Sequence, residues 1–170
     1  RQFSIAASFG LEKSSLLIRS GFGAADLGPD FVHLQAVDEN GKQQAIIPGT
    51  SWAGVLRYRC LRIANTLGSE QGQPSRATDM VNQLFGFMDD QMSQRQPQKA
   101  TGKASRVTLD ETYIEKGQTL YQTRVRIDRF TGSAYESALF EEAPIYGTSK
   151  TRIGFQVHVR DPEGYEIGLL

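Results

Sequence analysis

The chain has 170 residues, 39% hydrophobic and 22% charged, with 19 basic residues balanced by 19 acidic ones. This composition is typical of a globular domain and excludes disorder throughout. The neutral total argues against a protein that coats nucleic acid without specificity. The single cysteine, Cys60, excludes an internal disulfide and predicts a reducing, cytoplasmic setting. No apolar run reaches the roughly 18 residues of a membrane-spanning helix, so no membrane contact is expected.

The first 50 residues predict short strands joined by turns. Four segments have strand-like patterns: residues 3–7, 16–19, 31–37 and 44–47. A glycine-rich stretch over 21–30, with two acids at Asp26 and Asp30, predicts a loop. The Asn40–Gly41 pair predicts the turn of a β-hairpin between the last two strands.

The clearest predicted helix follows the Pro48–Ser51 turn. We expect Thr50 or Ser51 to cap it. Its apolar residues recur at helical spacing before Gly68: Val55, Leu56, Cys60, Ile63, Ala64 and Leu67. The same stretch carries three arginines and no acid: Arg57, Arg59 and Arg62. A second basic stretch lies between Arg95 and Arg106.

The second half of the chain predicts a short helical segment at 80–85 and three further strands, at 107–114, 120–127 and 151–159. The first two of these strands are expected to pair as a long hairpin. The glutamine-rich stretch 89–103 has few aliphatic side chains and predicts a mobile insertion. Residues 129–142 show little periodicity, so no element is predicted there.

Four segments, in this order, carry a family resemblance: Ile47–Arg57, Leu84–Gly86, Ser105–Asp110 and Arg126–Ala134. Together they resemble the RAMP superfamily of CRISPR-associated proteins, especially the guide-RNA-binding backbone subunits of type III effectors and domains of their fused relatives. The resemblance covers residues from about Leu16 to Leu170. Two positions depart from it, since Ala53 replaces a lysine and Ser133 replaces a glycine.

For the fold, the resemblance implies an α+β chain with a ferredoxin-like or RRM-like core and an inserted β-hairpin, the thumb. It predicts a single domain over 1–170, with a flexible insertion near 89–103 and the thumb near 104–148. Relatives finish with further elements for which nothing after Leu170 remains. The resemblance therefore predicts a fragment truncated at its C-terminus.

For function, the resemblance implies a subunit that binds CRISPR guide RNA, pairs it with complementary target RNA and contacts other effector subunits or fused domains. It implies metal-dependent cleavage of the target, with Asp26 as the first choice for the catalytic aspartate and Asp30 as the second. This aspartate would hold Mg²⁺, for which Asp26 is the predicted ligand, or orient the 2′-hydroxyl. The predicted RNA-binding residues are Pro48, Gly49, Thr50, Ser51, Arg57, Arg62, Arg106, Arg129 and Phe130. A non-catalytic RNA scaffold and an RNA-free interaction domain remain as alternatives. A guide-processing endoribonuclease is disfavoured because the 21–30 loop lacks histidine.

Local chemistry leaves several roles open. The Pro48–Ser51 turn offers backbone N–H groups and hydroxyls to a phosphate, or simply starts a capped helix. A loop aspartate is usually a turn former. Asp128 and Arg129 are expected to form an internal ion pair, or Arg129 contacts RNA while Asp128 orients the arginine. Three aromatic residues, Phe130, Tyr135 and Phe140, are expected either to wedge between nucleotides or to form a small thumb core.

Overall fold

The computed structural model describes residues 1–10, 21–22, 28–70, 76–88 and 102–170. The described chain is α+β, as predicted. Three predicted features lie outside the described residues: the strand at 16–19, Asp26, and residues 89–101 of the insertion. No helix in the described ranges has the length and apolar character needed to cross a membrane.

Fourteen strands and three helices make up the described part of the chain. The helices are α1 (Gly49–Glu70), α2 (Arg76–Phe85) and α3 (Gly164–Leu169). The strands are β1 (Gln2–Gly10), β2 (Gly21–Phe22), β3 (Phe31–Val32), β4 (Gln35–Val37), β5 (Gln43–Ile47), β6 (Phe87–Met88), β7 (Gly102–Lys103), β8 (Val107–Leu109), β9 (Thr112–Glu115), β10 (Gln118–Thr119), β11 (Gln122–Ile127), β12 (Ala134–Ala143), β13 (Ile145–Tyr146) and β14 (Arg152–Arg160).

The chain divides into two compact units. The first contains Arg1–Ala7, Pro48–Glu111 and Phe155–Leu170, and the second contains Ser8–Ile47 and Thr112–Gly154. Each is described by itself, and the expectation of a single domain over 1–170 stays a prediction.

In the first unit, helices cover one face of a small sheet. Strand β14 pairs with β1 on one side and with β8 on the other, where Val157 lies opposite Leu109. Alternate side chains of these strands pack with all three helices: Phe3, Ile5, Val107, Leu109, Phe155, Val157 and Val159. Because strand side chains alternate between faces, the residues between them point away from the helices.

Helix α1 lies close to β8 because its first residue is a glycine. A Cβ atom on Gly49 would be 2.1 Å from the carbonyl oxygen of Leu109, far inside van der Waals contact. The helix then buries Cys60 and Ala64, and Trp52 packs edge-on against Phe155 with ring centroids 5.0 Å apart. Glycine at the start of α1 therefore sets the distance between helix and sheet.

In the second unit, β9 pairs with β5 and with the beginning of β14, and β5 pairs with β4. The hairpin predicted at Asn40–Gly41 is confirmed, with Gly41 at φ +77. A second sheet contains β11 antiparallel to β12, β12 parallel to β3, and β3 antiparallel to β2. Strands β10 and β13 form a separate antiparallel pair.

Several predicted boundaries are wrong. The strand predicted at 31–37 is two strands, because buried His33 turns inward and its Nε2 atom hydrogen-bonds the carbonyl oxygen of Ile46 at 2.9 Å. The segment 107–114 is also two strands. Neither of these pairs with 120–127, so the predicted long hairpin does not form. Helix α1 continues through Gly68, and strand β12 and helix α3 were not predicted.

Candidate nucleic-acid interface

Two backbone N–H donors at the start of α1 are unpaired among the described residues. The carbonyl oxygen of Pro48 accepts hydrogen bonds from the N–H groups of Ser51 at 3.0 Å and Trp52 at 3.2 Å. Pro48 is therefore the N-cap, and the prediction that Thr50 or Ser51 caps the helix is wrong. Among the described residues, the N–H groups of Gly49 and Thr50 have no hydrogen-bond partner. These donors and the helix dipole favour an anion at this end.

One exposed stripe of α1 carries cationic and aromatic side chains. Tyr58, Arg59 and Arg62 are all exposed, at positions three and four residues apart. The guanidinium of Arg62 lies 5.9 Å from the ring centroid of Tyr58. Arg59 was not among the predicted site residues, although its spacing from Val55 and Arg62 gives it the same face of the helix.

Arg57 lies on the side of α1 that faces the interior of the first unit. Its Nη1 atom donates to the carbonyl oxygen of Gly86 at 2.9 Å, and its Nη2 atom donates to Oδ1 of Asn82 at 2.6 Å. Gly86 has φ +77, and a Cβ atom there would lie 2.4 Å from the carbonyl oxygen of Lys103. Arg57 therefore fixes a turn that only glycine fits without strain.

Arg106 also has partners within the protein. It pairs with Glu166, whose side chain is fully buried, and donates to the carbonyl oxygens of Asp161 at 2.8 Å and Gln83 at 3.3 Å. The second oxygen of Glu166 accepts the N–H of Glu163 at 2.8 Å, which completes a capping box at the start of α3. Most of the donors of Arg106 are thus engaged inside the first unit.

In the second unit, a hydrogen-bonded turn at residues 128–133 closes the β11–β12 hairpin. Oδ1 of Asp128 accepts the N–H groups of Phe130 at 2.7 Å and Thr131 at 2.9 Å. The Thr131 N–H group, followed by that of Phe130, holds the pKa of Asp128 below its usual value. Gly132 has φ +69 and donates its N–H to the carbonyl oxygen of Asp128 at 2.9 Å.

This turn holds Arg129 and Phe130 at the tip of the hairpin. Phe130 is 97% exposed, so it is not part of a thumb core. Asp128 binds backbone amides, and within the described chain no ion pair joins it to Arg129. On the same hairpin, the guanidinium of Arg126 lies 5.0 Å from the ring centroid of Tyr135, which is 51% exposed. Tyr135 is one of the three aromatics for which the sequence predicted a wedge or a thumb core, whereas Arg126 was not among the predicted site residues.

Of the two acids in the glycine-rich stretch, the structure describes Asp30. Oδ2 of exposed Asp30 accepts the N–H of Glu141 at 2.8 Å. This bond lies beside the parallel pairing of Phe31 with Glu142, so Asp30 supports the junction of β3 and β12. Asp26 lies outside the described residues.

A Mg²⁺ site built by the protein alone does not fit the described residues. They contain no group of three histidine, cysteine, aspartate or glutamate side chains able to hold a metal ion. Asp30 is a single carboxylate with one oxygen already hydrogen-bonded. His33, the histidine nearest to it in sequence, is buried against Ile46.

The chain belongs to the RAMP superfamily, whose family model matches residues 12–163. No curated protein sequence matches the chain significantly.

Three solved structures share the fold at low sequence identity. Csc2 of Thermofilum pendens is 12% identical with a TM-score of 0.56, and the match covers 98% of this chain and 57% of Csc2. A chain of the type III-B Cmr-beta complex bound to cognate target RNA is 11% identical with a TM-score of 0.58, covering 97% of this chain and 87% of that one. A chain of a CRISPR RNA-guided surveillance complex is 13% identical with a TM-score of 0.50, covering 93% and 50%.

Proposed function

We propose that this chain is an RNA-binding subunit of a CRISPR effector complex and that it holds single-stranded guide RNA. The observation that carries the proposal is the tip of the β11–β12 hairpin. There a hydrogen-bonded turn fixes an aromatic ring, Phe130, at 97% exposure next to Arg129. An aromatic ring left in water gains none of the free energy of burial. A nucleotide base that stacks on such a ring contributes about 1–3 kcal/mol to binding.

The exposed face of α1 supports the same ligand. The N–H groups of Gly49 and Thr50, with the hydroxyls of Thr50 and Ser51, suit a phosphate, while Tyr58, Arg59 and Arg62 suit a neighbouring stretch of backbone and bases. Since an aromatic ring accepts any base, this combination is expected to bind without strong sequence preference. That is what a subunit holding guides of many sequences requires.

Membership of the RAMP superfamily supports a finer proposal. In this proposal β11–β12 is the thumb, the sheet and helices of the first unit form a ferredoxin-like core, and the chain works in the cytoplasm beside other effector subunits. A type III assignment is supported by the RNA-bound Cmr-beta complex among the structures of similar fold. Complementary target RNA then pairs with the held guide.

Arg57 and Arg106 enter this proposal as positioning residues. Their guanidinium groups bind Gly86, Asn82 and Glu166 within the protein. Arg57 holds α1 in place, and Arg106 joins β8 to α3. Arg59 replaces them as the cation beside Arg62 that contacts phosphate.

Target cleavage is a separate part of the proposal. We assign the acid to Asp26, because it lies in the glycine-rich segment and because Asp30 already supports the β3–β12 junction. A single carboxylate supplies only one or two of the oxygen ligands that a divalent cation needs, so phosphates of bound RNA would supply others. If neither aspartate is needed, the subunit is a scaffold that binds RNA without cutting it.

Fluorescence anisotropy with a labelled 20-nucleotide RNA tests binding. The wild-type chain is expected to bind with an affinity that falls steeply as salt rises, because each neutralised phosphate releases a counterion. Phe130→Ala and the double variant Arg59→Ala/Arg62→Ala should each weaken binding about tenfold or more. Met88→Ala and Lys150→Ala are matched controls, since both residues are exposed. Salt-independent affinity, or full affinity in the double variant, contradicts the proposal.

A further inference from the structure

Strand β1 lies at the edge of its sheet, because among the described strands it pairs with β14 alone. Proteins usually protect such an edge with a short strand, a lysine or a proline, which stop other chains from pairing with it. Two edge strands of the second unit follow this rule, since β4 has three residues and β11 carries Arg124 and Arg126. Strand β1 does not, because it has nine residues with no charged side chain and no proline. Its edge is therefore suited to pairing with a further strand.

Two contacts show that β1 runs antiparallel to β14. The carbonyl oxygen of Arg1 accepts the N–H of Asp161 at 2.8 Å, and Oγ of Ser4 lies 2.8 Å from Nδ1 of His158. Residue numbers therefore fall along β14 as they rise along β1. Facing residues in such a pair alternate between those that exchange backbone hydrogen bonds and those that do not. Arg1 belongs to the first kind and Ser4 to the second, because an odd number of steps along the chain separates them.

The backbone groups of three residues on β1 point away from β14. In the regular alternation of the ladder, Gln2 and Ala6 share the position of Ser4, so the N–H and C=O groups of all three face the free edge. The same alternation holds across β14, where the N–H of Arg160 bonds the carbonyl oxygen of Arg106 beside β8 at 3.0 Å and the next residue bonds β1. Within the described chain, no strand pairs with these edge donors and acceptors.

The apolar core of the first unit is also incompletely covered at β1. Phe3 and Ile5 pack against this core but are only half-buried, whereas Val157 and Val159 on the neighbouring strand are fully buried. Ala7, the next residue on the same face of β1, is exposed. A strand added beside β1 places its own side chains next to these three residues, because neighbouring strands lie about 4.8 Å apart.

We propose that the free edge of β1 binds an extended peptide segment of a neighbouring protein subunit, which adds an antiparallel strand to the sheet. The backbone of the segment pairs with Gln2, Ser4 and Ala6, and apolar residues at every second position cover Phe3 and Ile5. The inference takes from the proposed function only that other subunits lie beside this chain.

RNA and a second copy of the chain fit this edge less well. No residue of β1 carries a positive charge, and the N–H groups along the edge alternate with carbonyl oxygens that repel phosphate. A second copy paired through β1 alone shares only the few residues of one strand, whereas stable interfaces use about 20–30 residues a side. A single peptide strand needs no larger surface, because main-chain hydrogen bonds supply its affinity.

Amide hydrogen exchange followed by NMR tests whether the edge is open. In the chain without ligand, the N–H groups of Ser4 and Ala6 should exchange about tenfold or more faster than those of Phe3 and Ile5, which bond to β14. Equal protection of Ser4, Ala6 and Ile5 shows that the chain itself already covers this edge and overturns the proposal.

A labelled peptide with the sequence of β14, residues 152–160, is the probe for strand addition. It has the alternation of apolar and polar residues that already pairs with β1. The peptide should bind at least tenfold more tightly than a peptide with the same residues in an order without alternation, as measured by fluorescence anisotropy. Bound peptide should slow exchange at Ser4 and Ala6 about tenfold and leave Ile5 unchanged. Equal binding of the two peptides, or no slowing at Ser4 and Ala6, overturns the proposal.

Ala6→Pro tests the same edge from the side of the protein. Proline removes the N–H that faces the free edge and keeps the bonds to β14, and edge strands tolerate it at such positions. Peptide binding should weaken about tenfold or more and RNA binding should stay at the wild-type level, while the matched variant Ala6→Ser keeps both. A β14 peptide that is N-methylated at alternate residues removes the same bonds without changing the protein, and its unweakened binding overturns the proposal.

Three outcomes distinguish the possible occupants of the edge. Weakened RNA binding by Ala6→Pro with unchanged peptide binding assigns the edge to RNA. A dimer in analytical ultracentrifugation that Ala6→Pro dissociates assigns it to a second copy. Either result overturns the peptide proposal. Absence of RNA binding by the wild-type chain overturns the proposed function and leaves the peptide result standing.

Discussion

The Nη1 atom of Arg57 donates a hydrogen bond to the carbonyl oxygen of Gly86 at 2.9 Å, across 29 residues of sequence. This bond joins the Ile47–Arg57 segment, which contains the start of α1, to the Leu84–Gly86 segment. Two parts of the family resemblance that are separate in sequence are therefore in direct contact. The guanidinium contributes to holding the turn that follows α2.

Arg57→Ala is expected to lower the free energy of unfolding by about 1–3 kcal/mol, because Gly86 and Asn82 lose a shared donor. Arg57→Lys should recover little, since an ammonium group cannot match the two-pronged geometry. Urea unfolding followed by circular dichroism measures both. Arg62→Ala, on the exposed face, should stay within about 0.5 kcal/mol of wild type. Equal stability of Arg57→Ala and wild type would contradict this role.

Two glycines of α1 should respond in opposite directions to alanine. Gly49→Ala places a Cβ atom 2.1 Å from the carbonyl oxygen of Leu109 and is expected to destabilise by more than about 2 kcal/mol. Gly54→Ala meets no atom within 4 Å and should stabilise by about 0.5–1 kcal/mol through helix propensity. Thermal unfolding of both variants checks the pair. A stabilising Gly49→Ala would show that α1 can move off β8.

The hairpin tip should loosen in acid. Because backbone N–H donors lower the pKa of Asp128 in the folded state, its contribution is complete above the unfolded value, near 3.9, and is lost as pH falls through the lower folded pKa. The amide chemical shifts of Phe130 and Thr131 should titrate below the ordinary aspartate range. In Asp128→Asn these shifts should not follow the same titration. A midpoint above 3.9 in wild type would be the contrary result.

Cleavage of target RNA should depend on Asp26. In an assembled effector with Mg²⁺ and complementary RNA, Asp26→Ala should abolish cutting and leave guide binding unchanged or slightly tighter, because a negative charge is removed. Asp30→Ala is the matched variant and is expected to act through the Glu141 hydrogen bond instead. Its predicted signature is lower stability with cutting retained. Full cleavage by the Asp26 variant moves the role to Asp30, and full cleavage by the double variant leaves a scaffold.

The sequence predicted the elements that have strong local patterns. Helix α1, the Asn40–Gly41 hairpin and strand β14 follow from spacing and turn chemistry alone. Strand β12 was missed because polar and apolar residues do not alternate regularly along its sequence. It forms through pairing with β11 on one side and β3 on the other. Helix α3 was missed because Gly164 and Gly168 lower its propensity, and its capping box uses Glu163 rather than serine or threonine.

The candidate site was harder to predict than the fold, because residue type does not say which way a long side chain points. Periodicity places Arg57 on the same side of α1 as Cys60 and Ala64, and that signal was available in the sequence. The sequence carries no such signal for Arg106, because its partner Glu166 lies 60 residues away. Phe130 was assigned from its motif, but its exposure required the turn geometry of the structure.

Arg106 also bears on the order in which the first unit folds. Its three acceptors, Gln83, Asp161 and Glu166, are separated from it by 23, 55 and 60 residues. Closing loops of this length costs chain entropy before the contacts repay it. These bonds should therefore form after the folding transition state, so Arg106→Met should accelerate unfolding and hardly change the refolding rate. The arginine then slows unfolding by joining the sheet to α3 and contributes little to the rate of folding.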